Sequence, residues 1–203
     1  RIRFISADKE LIKNYKDYMK VLFKIESFCT YNKGRADSIE FSDKTVYNYF
    51  LDKFGYISPP KKSLKKNVPQ EFLFADLETT GEILGGLFDT DGHINPHAPH
   101  IEFSNKNESL VDQIQLLLLR FEIISTKKET WKYASNTKNK TKRKYFLLHI
   151  SGNENFKKFS QHIPLHLSYK RQDLQKMIRP VDSNPNIDLL PKEVNKTVKD
   201  TVK

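Results

Sequence analysis

The chain has 203 residues, 37% hydrophobic and 12% aromatic, enough apolar material for one large or two small folded domains, which excludes a disordered tail. Its formal net charge of +10 points to a polyanionic partner, and no apolar run approaches the ~20 residues of a membrane span. A single cysteine, Cys29, excludes an internal disulfide and fits a reducing intracellular setting, cytoplasmic, nucleoid-associated or organellar.

Residues 2–25, IRFISADKELIKNYKDYMKVLFKI, read as a short alternating strand, a polar turn and an amphipathic helix ending at Phe23. Strand-like segments at 27–31 and 37–42 follow, then a helix over 44–54. Pro59, Pro60 and Pro69 mark 55–69 as a connector. Residues 80–92, TGEILGGLFDTDG, predict the next helix, with Thr79 or Thr80 as N-cap and Leu84, Leu87 and Phe88 on one core-facing side. Residues 101–123, IEFSNKNESLVDQIQLLLLRFEI, then repeat the opening pattern and end at Phe121. Phe4 matches Phe103, Ser6 matches Asn105, and Leu11 matches Leu110, with one residue of slippage late in the helix. Strands at 125–134 and 143–151 and a helix at 154–162 complete a second copy of the order β, α, β, β, α. Such a duplication predicts a pseudo-two-fold protein with two similar lobes. Beyond about Arg179 the apolar periodicity fades, and 179–203 reads as a tail or truncated module.

The helix over 80–92 carries the chemistry. Gly85 and Gly86 each cost about 1 kcal/mol relative to Ala in a helix interior, so adjacent glycines imply close approach of another backbone. Asp91 falls where the helix ends and the macrodipole is already negative, so its carboxylate needs a cation beside it. A helix pair presenting a metal site fits both features. An EF-hand loop is excluded, because the glycine comes too early after Asp89 and Asp91 and the twelfth position is His100.

The run Leu84-Gly85-Gly86-Leu87-Phe88-Asp89-Thr90-Asp91-Gly92 resembles the signature motif of LAGLIDADG homing endonucleases, including those inserted within inteins. The resemblance covers roughly residues 1–178 and implies an α/β (α+β) fold of two pseudo-symmetric αββαββα lobes with saddle-shaped antiparallel sheets. The lobes would be 1–68, N-terminally incomplete, and 69–178, followed by 179–203. The family's metal role falls on Asp91, with Thr90 beside it, and the cofactor implied is Mg²⁺ or Mn²⁺. Asp89 corresponds to a more structural acid. Lys66, in Lys66-Asn67-Val68-Pro69, resembles a segment that precedes the second signature helix in intein endonucleases. Lys66 and its second-lobe equivalent Lys170 are the expected catalytic lysines, with Lys65 and Arg171 as substitutes. Asn105, like Ser6, matches a solvent-orienting position.

The strands after the signature helix are the expected DNA-reading surface. Lys127, Lys128, Lys132, Lys138, Lys140, Lys142, Arg143 and Lys144 line two strands and their loop, opposed only by Glu129. Trp131 and Tyr133 alternate with Lys132, so one face can pack while the other meets DNA. Lys33, Arg35 and residues 36–42 are the first-lobe counterpart. His93 and Asn95 are expected to contact DNA. His93, His97 and His100 cluster without a nearby cysteine and across a strand and turn, which argues against zinc.

These features predict a Mg²⁺-dependent phosphodiesterase that cuts double-stranded DNA at a long recognition site and serves intein or intron mobility. The first signature helix is expected to come from a missing N-terminal segment. Two rivals remain: a non-cleaving nucleic-acid-binding protein such as an RNA-splicing maturase, and an insert kept for folding alone.

Overall fold

Polar turn residues, Asp8 and Asp43, start the helices at Lys9 and Lys44 of the first unit, and antiparallel strands close it. The structure, a computed structural model, describes residues 1–33, 36–54, 66–133 and 141–180, with backbone alone at 32, 33 and 54. The chain divides into two units, Arg1–Ala75 and Asp76–Lys203. Unit 1 contains β1 (Ile2–Ser6), α1 (Lys9–Phe23), β2 (Cys29–Lys33), β3 (Ala36–Phe41), α2 (Lys44–Phe54) and the short α3 (Gln70–Leu73). Asp8 caps α1, its carboxylate accepting from the Glu10 and Leu11 amides. The strands form an antiparallel sheet in the order β1-β3-β2. Met19, Phe41 and Val46 centre its core, with Ile2, Tyr15, Phe23 and Phe50 packed around them.

Unit 2 contains α4 (Leu77–Asp91), β4 (Gly92–Asn95), β5 (His100–Asn105), α5 (Glu108–Leu119), β6 (Ser125–Lys132), β7 (Arg143–Ile150), α6 (Asn153–His162) and α7 (Ser168–Met177). Its first seven elements follow the order α, β, β, α, β, β, α. The antiparallel sheet runs β4-β5-β7-β6. Phe103, Leu148 and Ile150 on the helix side are fully buried, as are Leu84 and Phe88 of α4, Ile114 and Leu117 of α5 and Phe159 of α6. Phe88 packs edge-on to Phe159 with centroids 5.0 Å apart. Leu87, expected in this core, is only half-buried.

The duplication is structural as well as sequential. β1-β3-β2 and β5-β7-β6 have the same order, and the register Phe4↔Ile39 matches Phe103↔Leu148. Ser6 Oγ accepts from the Asp8 amide and Asn105 Oδ1 from the Asn107 amide, each at 3.0 Å, so both set the same turn. Lys24 after Phe23 and Glu122 after Phe121 both take left-handed backbone conformations, with φ of 56° and 55°. The one-residue slip lies at that exit: α1 runs to Phe23, whereas α5 stops at Leu119. β4 pairs with the outer edge of β5, and among the described residues no strand holds the equivalent position beside β1. Among the described residues no helix is long and apolar enough to cross a membrane.

Candidate active site and nucleic-acid interface

The signature helix starts earlier than its threonines indicate. Asp76, not Thr79 or Thr80, is the N-cap of α4: its carboxylate accepts from the Thr79 amide at 2.8 Å and the Thr79 hydroxyl at 2.9 Å. Those two bonds, backbone first, hold the Asp76 carboxyl below the ordinary carboxylate range. Thr80 is instead buried, accepting from Arg120 of the α5 C-cap at 2.8 Å and donating to the Asp76 carbonyl.

The helix glycines serve two different neighbours. A Cβ on Gly81 would lie 2.3 Å from the His162 carbonyl oxygen, and one on Gly85 2.2 Å from that of Pro164. The segment between α6 and α7 therefore crosses α4 at a distance only glycine allows. Gly86 has open space around it and faces outward. Gly85, expected against another helix, is thus explained by its own unit.

Two acids end the helix and do different things. Asp89 is 3% exposed, and its carboxylate accepts from the amides of His166, at 2.7 Å, and Leu167. It tethers the approach to α7, the structural role expected of it. Asp91 is the last helical residue, exposed, and its carboxylate has no hydrogen bond or ion pair among the described residues. Gly92 must follow, since a Cβ there would lie 2.5 Å from the Phe88 carbonyl oxygen. Thr90 bonds back to the Gly86 and Leu87 carbonyls. An outward, unpartnered carboxylate is a hard oxygen donor of the kind Mg²⁺ and Mn²⁺ take, so this helix end fits the implied ion.

Lys170 departs from the expectation that it stands over a phosphate. It is 6% exposed, and its ammonium donates to the carbonyls of Phe88, Asp89 and Gly92 at 2.7, 2.8 and 2.7 Å. Three N–H groups meet three carbonyls at the negative end of α4. The negative end of α4 is therefore capped by a cation of the protein itself, on its carbonyls rather than on the Asp91 carboxylate. Its substitute Arg171 is committed to the Leu165 and His166 carbonyls. Asn105, expected to orient solvent, has its oxygen engaged in the β5–α5 turn. Lys66 is exposed in unit 1, and Lys65 lies outside the described residues.

Register sorts the basic residues by face, because cross-strand partners point the same way. Lys128, Lys132 and Arg143 lie on the face opposite the helices, together with His93, Glu102, Ser104 and His149. Lys132 reaches Ser104 Oγ at 3.1 Å across this face. Lys127 and Lys144, expected to meet DNA, lie on the helix side. Lys127 pairs with Asp112 and Glu108 of α5, whose bonds hold its ammonium above the ordinary lysine range. Lys144 pairs with Glu129 at 2.6 Å. Lys142 is exposed just before β7, while Lys138, Lys140 and Arg35 lie outside the described residues and Lys33 is described in its backbone alone. Asn95 Oδ1 accepts from the His97 and Ala98 amides, shaping the β4–β5 turn rather than standing free.

His100 does not gather with His97 but with Glu102 and His149. Sequence reading missed the last two. Each is a polar residue between two apolar neighbours of its strand, and only the β5–β7 register brings them together.

The sheet, the α4 end and the outward acid coincide with a known family: residues 78–164 match the model described as LAGLIDADG-like domain. Those residues form a LAGLIDADG-family domain. Its curated relatives in Methanocaldococcus jannaschii include a probable translation initiation factor IF-2, 31% identical over 180 residues, 87% of this chain and 15% of that protein. The ATP-dependent DNA helicase Hel308 is 31% identical over 190 residues, 92% of this chain and 14% of that protein. The replication factor C small subunit is 29% identical over 206 residues, all of this chain and 10% of that protein. The chain thus spans a small fraction of each relative. Among solved structures, the homing endonuclease I-DmoI in complex with DNA and Ca has a TM-score of 0.56 at 14% identity, over 80% of this chain and 73% of that one. Full-length DUF199/WhiA from Thermatoga maritima has a TM-score of 0.51 at 17% identity, over 98% of this chain and 58% of that one. At such identities these two likenesses establish the LAGLIDADG fold alone.

Proposed function

We propose that this chain is the endonuclease part of a translated mobile insertion, an intein-type element, and that it hydrolyses double-stranded DNA site-specifically with a divalent metal. The single observation that carries cleavage is Asp91, an exposed carboxylate without a partner among the described residues at the end of the helix that the 162–164 segment crosses closely. Asp91 would hold Mg²⁺ or Mn²⁺, with Thr90 adjacent, and the bound ion supplies an activated water and neutralises charge on the scissile phosphate. Lys170 positions this carboxylate by binding the last carbonyls of α4, and Asp89 fixes the loop that delivers Lys170. Lys66 is the candidate for phosphate contact from unit 1. Lys128, Lys132 and Arg143 form the phosphate-binding face, with Ser104 of β5 and His93 of β4 on the same face beside them to meet base edges.

The intein reading draws support from the company the sequence keeps. A translation factor, a helicase, a replication factor subunit, an aminotransferase and an RNA polymerase subunit have no activity in common. Each nonetheless contains a stretch 23–31% identical to most of this chain. A segment shared within translated chains of unrelated function behaves as an insertion. Neighbours solved with DNA and Mg or Mn support the same substrate and ion.

The test uses the parent gene. DNA spanning the host sequence joined without the insertion should be cut by the parent element in Mg²⁺, at or near the joint, while the interrupted gene resists. Binding of RNA or DNA with no metal-dependent breaks would favour the non-cleaving, maturase-like alternative, and no nucleic-acid binding at low salt would leave only a folding remnant.

A further inference from the structure

On the solvent-facing side of the unit 2 sheet, His100, Glu102 and His149 offer three ligand atoms that all lie within 4.8 Å of one another. Glu102 and His149 are cross-strand partners, and His100 precedes Glu102 by two residues on β5, so all three share a face. Glu102 Oε1 is 3.7 Å from His100 Nε2 and 3.6 Å from His149 Nδ1. Both separations are long for hydrogen bonds. They are close to the edge of about 3.4 Å of a tetrahedron built with metal–ligand bonds of about 2.1 Å. His149 Nδ1 is buried and has no hydrogen-bond partner, an orphaned position that a bound ion would satisfy. His100 Nδ1 lies against the Ala98 carbonyl. That contact places the proton on Nδ1 and leaves the Nε2 lone pair facing Glu102, as in metal-bound histidines braced by a backbone carbonyl.

We propose that His100, Glu102 and His149 form a second metal site, for a borderline transition-metal dication of the Zn²⁺ class, in addition to the hard-cation position at Asp91. Two imidazoles and one carboxylate favour such an ion over Mg²⁺. The fourth position opens to solvent. The ion ties β5 to β7 where unit 1, at the equivalent register, has the Arg3–Glu40 salt bridge instead.

The experiment is a calorimetric titration of the chelator-treated full chain with Zn²⁺ in excess Mg²⁺, with Co²⁺ as the spectroscopic probe. One Zn²⁺ per chain and the visible bands of four-coordinate Co²⁺ are expected. His149→Asn and Glu102→Gln should each weaken binding at least about tenfold. His166→Asn, at the other histidine–carboxylate pair, should leave it unchanged. Nitrogen-15 spectra of the unaltered chain, which require no variant to fold, should show Zn²⁺ shifting His100 Nε2 and His149 Nδ1. The assignment is overturned by no Zn²⁺ uptake, by uptake that survives both ligand substitutions, or by shifts confined to other histidines.

Discussion

Replacing Lys170 with Met removes the cation that closes the signature helix while keeping an apolar stem of similar length. The Phe88 carbonyl retains the Gly92 amide as a partner, so the Asp89 and Gly92 carbonyls bear the loss. Leaving two such acceptors without a partner at the negative end of a helix costs about 2–4 kcal/mol. With a urea dependence of roughly 2 kcal/mol per molar, the unfolding midpoint of unit 2 should fall by about 1–2 M. Lys170→Arg should not restore it, since a planar fork cannot place donors on three converging carbonyls as an ammonium does. Circular dichroism in urea, with tryptophan fluorescence of Trp131 as a second probe, measures the shift. A loss below about 0.5 kcal/mol would refute the capping role and return Lys170 to the candidates for phosphate contact.

Gly85→Ala should destabilise unit 2 by about 1–3 kcal/mol, because its Cβ would meet the Pro164 carbonyl, whereas Gly86→Ala should be neutral or slightly stabilising in thermal melts of the isolated chain. Replacing Lys128, Lys132 and Arg143 with alanine should lower the slope of log K against log salt by up to about 2.7 in DNA-binding titrations. The same treatment of Lys127 and Lys144 should change it far less, and equal effects would contradict the assignment of faces. In unit 1, burial pushes Tyr15 up to about 12 from its ordinary 10.0. The folded state therefore holds that proton more tightly than the unfolded one, so stability is unaffected below pH 10 and declines as pH rises towards 12. Ultraviolet titration should find this late phenol, and Tyr15→Phe should flatten the alkaline decline.

Much of this was legible in the sequence because the repeat and the alternation are local. The helix at 44–54, the strand starts at Ser125 and Arg143 and the pairing of Ser6 with Asn105, though not their turn role, follow from spacing and the repeat. Asp89 and Asp91 separate into structural and outward roles as their places at the helix end imply. What escaped were facts of register and packing. Lys127 and Lys128 are neighbours in sequence yet face opposite ways, and counting lysines cannot distinguish them. The N-cap fell to Asp76 because a carboxylate reached the Thr79 amide first, leaving Thr80 to be buried against Arg120. Lys170 is expected from the sequence as a catalytic lysine near a phosphate, but the short 162–167 segment, fitted onto Gly81 and Gly85, carries it under the helix end.

Asp91 carries the central claim, and its substitution is the most direct measurement. The parent element with Asp91→Asn, incubated with its joined target in Mg²⁺, should bind within a few fold of the unaltered protein and leave at least one strand uncut. On the proposed reading, affinity is retained because it comes mainly from phosphate contacts on the sheet, not from this carboxylate. Cleavage of both strands at the unaltered rate by Asp91→Asn would contradict the account.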